Sequence, residues 1–82
     1  MAVLNVTYQG MSADIPLEVE HGMTDADIRR IAVELIRSGG VPGLYLANLP
    51  WNTFNSYVVD RFETKQGGKR LYLRPKVPFG AN

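Results

Sequence analysis

Cysteine is absent from the sequence, and histidine and tryptophan occur once each, as His21 and Trp51. Without cysteine there are no disulfides, no thiolate nucleophile and no cysteine-ligated metal. A single histidine among scattered acids falls short of the three or four ligands that define a metal site. The acid beside it, Glu20, would project to the opposite side of any strand, so His21 is expected to be a loop residue. Ser12, Ser38 and Ser56 have no base at a spacing that suggests an activated nucleophile. Gly39 and Gly40 follow the strongest helical segment instead of opening it, which excludes a phosphate-cradling loop. No enzyme and no cofactor are expected.

Long apolar runs are missing as well. No stretch approaches the ~20 residues that span a bilayer, and Met1 to Val6 lacks the basic and apolar regions of a secretory signal. The expectation is a cytoplasmic protein with no membrane partner. The triplet Asn5, Val6, Thr7 matches a glycosylation acceptor, but it falls inside a strand pattern and is read as coincidence.

What is present suits one small domain over residues 1–82: 45% hydrophobic and 21% charged residues in 82 positions. A chain of this length buries only about 60% of the surface it exposes when unfolded, leaving one core and no deep cavity. The net charge of +1 hides an asymmetry. Met1 to Asp27 carries five acids and no lysine or arginine, whereas Arg61 to Lys76 holds six basic residues against Glu63 alone.

Leu4, Val6 and Tyr8 alternate with Asn5 and Thr7, predicting a strand over 3–8. After a turn at Gln9, Gly10, Met11 and Ser12, the apolar residues Ala13, Ile15, Leu17 and Val19 alternate with Asp14, Pro16, Glu18 and Glu20, a second strand that closes a hairpin. Pro16 cannot donate a ladder hydrogen bond, which places this strand at a sheet edge that its acids help protect. Thr24 is a good N-cap, Asp25 and Asp27 suit the positive end of the helix dipole, and Ile28, Ile31, Ala32, Leu35 and Ile36 share one stripe. With Arg37 near its end, Gly39 or Gly40 to terminate it and Pro42 beyond, the helix is predicted over 25–38.

Strands are predicted over 58–64 and 69–76 around a turn at Gln66, Gly67 and Gly68. An 18-residue structureless connection over 39–56 is improbable in so small a domain. A short extended piece at 44–47 and a helical turn from Pro50, with Trp51 and Phe54 on one side, are expected there. Trp51, Phe54, Tyr57 and Tyr45 would then form an aromatic cluster, either capping the core or, through Trp51 and Phe54, anchoring a partner. Residues 77–82 read as a flexible tail.

The order hairpin, helix, extended segment, strand, with Leu17 to Glu20 leading into Thr24 and Asp25 and Val41-Pro42 following the helix, resembles the β-grasp fold of ubiquitin-like proteins and small sulfur carriers. The resemblance covers nearly the whole chain and is architectural. It implies an α+β domain of ββαββ order, with one helix packed on one face of a mixed sheet. Conjugated or thiolated members end in Gly-Gly, whereas this sequence ends Phe79, Gly80, Ala81, Asn82. A modifier or carrier role would require trimming to Gly80, since Gly67 and Gly68 fall in a turn.

With that topology, the outward face of the sheet runs from acidic Asp14, Glu18 and Glu20, through Asn5 and Thr7, to basic Arg70, Arg74 and Lys76. Such a face can dock a protein partner or support self-association. Tyr72 between Arg70 and Arg74 is the residue mix enriched at interface hot spots; its plainer role would be packing against Tyr57 or Val59. Arg70, Tyr72 and Arg74, supported by Arg61 and Lys76, are the candidate partner-binding residues. The same strand could bind single-stranded nucleic acid, but the neighbouring acids and a pI of 8.1 argue against that.

Overall fold

Two turn residues set the first hairpin. Gln9 and Gly10 both take positive φ, 50° and 79°, the pairing that matches the right-handed twist of the flanking strands. Strand β1 (Ala2–Tyr8) therefore pairs directly with β2 (Met11–Leu17) from Tyr8 opposite Met11 to Ala2 opposite Leu17. The expected four-residue turn is thus only two residues long, and Met11 and Ser12 belong to the ladder. The structure, a computed structural model, describes residues 2–18 and 23–76. His21, Glu20 and the predicted tail at 77–82 lie outside the described residues.

The helix, α1 (Asp25–Ser38), has the predicted bounds. Thr24 Oγ1 accepts the Asp27 amide at 3.1 Å and the Asp27 carboxylate accepts the Thr24 amide at 3.0 Å, a reciprocal cap that satisfies two otherwise free donors. These bonds from Thr24 hold the Asp27 carboxyl below its usual pKa. At the other end Gly39 adopts φ 84°, and the Gly40 amide reaches back to the Leu35 carbonyl at 2.8 Å. The buried stripe is Ile28, Ala32, Val33 and Ile36. Ile31 and Leu35 are only half-buried, so the inward face is rotated slightly from the predicted one toward Val33.

Strands β3 (Tyr57–Glu63) and β4 (Lys69–Pro75) form the second hairpin, closed by the Thr64 amide on the Gly68 carbonyl at 2.8 Å. The sheet order is β2-β1-β4-β3, with β1 and β4 parallel at the centre and the other pairs antiparallel. This mixed four-stranded sheet with one helix is a small α+β fold compatible with β-grasp architecture. Pro16 is exposed on β2, which is indeed an edge strand.

The core lies between the helix and one sheet face. Leu4, Val6, Ile15, Leu71 and Leu73 meet Ile28, Ala32, Val33 and Ile36. The 39–56 connection closes the remaining side, contributing Val41, Leu44, Leu49 and Phe54. No strand forms at 44–47. The chain instead runs through turns, with the Leu44 amide on Val41, Leu46 on Ile36 and Leu49 on Leu46, because only a winding path can drop these apolar side chains into the core one after another. The turn at Pro50 does form, its carbonyl accepting both the Thr53 amide and hydroxyl. Trp51 and Phe54 nevertheless part company: Phe54 is fully buried, while Trp51 is 57% exposed.

Candidate protein-docking face

The face of the sheet turned away from the helix is organised by strand register. Because side chains alternate, Leu71 and Leu73 point to the core and Arg70, Tyr72 and Arg74 point away from it. Register brings Asp14, Asn5, Tyr72 and Asp60 into one row across all four strands, and Pro16, Val3, Arg70 and Phe62 into the next.

A polar network and a separate ion pair tie these rows together. Ser12 donates to Asn5 Oδ1 at 3.1 Å, and Asn5 Nδ2 donates to Asp14 at 2.8 Å. Arg70 reaches the same Asp14 oxygen at 3.4 Å while its Nε donates to the Tyr72 hydroxyl at 3.0 Å, and that phenol oxygen raises the guanidinium's pKa further. Arg74 donates to Asp60 at 2.6 Å. The expected gradient from an acidic to a basic side is therefore compensated in place. Asp14 neutralises Arg70 across the sheet, and Asp60 on β3 supplies an acid beyond the basic strand.

Tyr72 is half-buried, held by Arg70 on one side and by Phe62 on the other, with ring centroids 5.6 Å apart in an edge-to-face arrangement. Its ring partner is neither Tyr57 nor Val59, which project to the core side. Phe62 remains 56% exposed. Asp60, Phe62, Arg70, Tyr72 and Arg74 line a shallow depression of 430 Å³. Phe62 and Asp60 are additions to the residues expected from sequence. The signal for them was available: pairing across the second hairpin sets Phe62 opposite Arg70 and Asp60 opposite Tyr72.

The remaining candidates are placed apart. Arg61 sits opposite Leu71, on the helix side of β3, where Nη2 donates to Asp25 at 2.8 Å and to the Met23 carbonyl at 3.1 Å. It therefore braces the helix start and does not share a face with Arg70. Lys76 is exposed just beyond β4. The aromatic cluster comprises Tyr8, Phe54 and Tyr57, with centroid distances of 5.9 and 4.7 Å. Burial beside Tyr8 pushes the Tyr57 hydroxyl pKa up. Trp51 lies under Arg37 at 4.7 Å, and that arginine also donates to the Leu49 carbonyl at 2.6 Å. Tyr45 is exposed.

Among the described residues no three histidine, aspartate or glutamate side chains gather where they could hold a metal, and no helix is long and apolar enough to cross a membrane. No protein-family model, curated protein or solved structure matches this chain.

Proposed function

We propose that this chain is a non-catalytic protein-interaction module of ubiquitin-like, β-grasp fold that docks a protein partner through the outer face of its sheet. The observation that carries this reading is the Phe62–Tyr72 pair, an aromatic surface with Phe62 exposed, on a face that no other element covers among the described residues, flanked by Arg70 and Arg74. Aromatic and arginine side chains on a rigid strand offer a large contact area at low entropic cost. Arg70 pre-sets the Tyr72 rotamer through its hydroxyl, so little order has to be gained on binding. The parallel pairing of β1 with β4 between two antiparallel edges supports the ubiquitin-like reading of the fold. Both arginines already have carboxylate partners, which favours a mixed protein surface over a phosphate backbone as the ligand.

The test compares three baits for quantitative partner capture: Tyr72→Ala and Arg74→Glu on the outer face, and Glu34→Lys on the exposed surface of α1. Each outer-face change is expected to weaken capture by tenfold or more, the scale of hot-spot truncations, while Glu34→Lys leaves it unchanged. Thermal melts should stay close to wild type for all three. Equal loss in the helix variant, or unfolding caused by Tyr72→Ala, would overturn the docking face.

A further inference from the structure

The two edges of the sheet are finished differently. Counting alternate pairs from the Tyr8–Met11 closure puts the Pro16 nitrogen on the open side of β2, where it has no proton to offer. Exposed Asp14 and Glu18 flank it. On β3 the same count starts from the Thr64–Gly68 closure. Val58, Asp60 and Phe62 exchange hydrogen bonds with β4, and the backbone groups of Val59, Arg61 and Glu63 point away from the sheet. Tyr57 confirms the parity. Its amide is used by Phe54 at 2.9 Å and its carbonyl takes two donors from Arg29 at 3.0 and 3.1 Å. Among the described residues nothing equivalent reaches the outward groups of Val59, Arg61 or Glu63.

We propose that this open edge pairs with the β3 edge of a second copy of the chain, antiparallel about a two-fold axis that passes beside Phe62. Backbone occupancy and charge choose the register: an axis on Val58 or Val59 would need the Tyr57 amide and carbonyl, which Phe54 and Arg29 already hold. Centring the axis on Arg61 would set Arg61 against its own mate, centring it on Asp60 would oppose two aspartates, and centring it on Glu63 would oppose two glutamates. Centring it on Phe62 places Arg61 opposite Glu63 twice by symmetry, on the helix side of the sheet. Glu63 has no ion-pair partner among the described residues, and Arg61 uses only Nη2 on Asp25 and Met23, leaving Nε and Nη1 to meet a carboxylate. On the opposite face the two Phe62 rings, each 56% exposed in the single chain, become direct cross-strand neighbours. The aromatic row then runs from Tyr72 through both phenylalanines to the second Tyr72. The edge pairing is argued from the backbone groups of β3 and the Arg61 and Glu63 charges, while Phe62 belongs both to this seam and to the outer-face depression.

Sedimentation equilibrium of the full chain, as a function of concentration, reads the dimer directly. Glu63→Arg creates two like-charge pairs in place of two attractive ones and is expected to weaken association about tenfold or more. Arg61→Glu should do the same. The two variants mixed in equal amounts restore both attractive pairs and should dimerise with each other more tightly than either does alone. Circular dichroism melts of each variant confirm that it is folded. Because Arg61→Glu also removes the Asp25 contact, Phe62→Asp provides a second probe, which sets two aspartates face to face on the axis and should likewise give monomers. A wild-type chain that stays monomeric at about 1 mM, or a folded Glu63→Arg or Phe62→Asp chain that dimerises as wild type does, would overturn the proposal. An edge used only for a foreign peptide would show itself as the first of these outcomes.

Discussion

The two faces of the sheet are built from the same four strands and follow opposite rules. On the helix side every buried contact is apolar, and no buried polar or charged residue occurs among the described positions. On the outer side most polar side chains are tied to a neighbour by a hydrogen bond or ion pair at the surface. The difference teaches where stability resides. Apolar burial supplies it, whereas exposed pairs contribute little because water and salt compete for both partners. The outer face can thus carry recognition chemistry without endangering the fold.

The comparison breaks most visibly at Phe54. Phe54→Ala empties the space between Tyr8 and Tyr57 and should cost about 3–5 kcal/mol in denaturant titrations, a large part of the stability of a domain this size. A loss below that of surface variants would mean the loop segment is not part of the core. Next comes the helix cap, which belongs to neither face: Thr24→Ala should cost about 1 kcal/mol. It also carries a pH signature. Because the folded-state pKa of Asp27 is depressed, its contribution is present above the usual carboxylate pKa and is lost as pH falls through the folded value. The gap in melting temperature between wild type and Asp27→Ala, which removes the carboxylate that accepts the Thr24 amide, should accordingly narrow in acid, and a constant gap would show that the carboxylate half of the cap is idle. The smallest effect is expected on the outer face, where Arg74→Ala removes an exposed pair with Asp60 and should change stability by less than ~1 kcal/mol.

Local chemistry made some of the molecule legible beforehand. Thr24, Asp27, Gly39 and Pro42 act within a few residues of themselves, which is why the bounds of α1 could be read without the rest of the chain. Residues 41–56 carry no such period. Their path is decided by where Leu44, Leu49 and Phe54 can be buried, information that exists only once the sheet and helix have met. The outer-face assignment was partly legible for a related reason. Within one strand, alternation alone separates Leu71 and Leu73 from Arg70, Tyr72 and Arg74. Between strands, the facing of Arg61 depends on the number of residues in the Thr64–Gly68 turn, and that count sends it to the helix while turning Phe62 outward.

Pro16 has a meaning beyond the hairpin in which it sits. A molecule with two unsealed borders could add neighbours at both and grow into a fibre, each newcomer offering a fresh template to the next. One ring nitrogen without a proton breaks the row of donors on the β2 side, and the acids beside it add repulsion, so continued growth through main-chain pairing is opposed at that border.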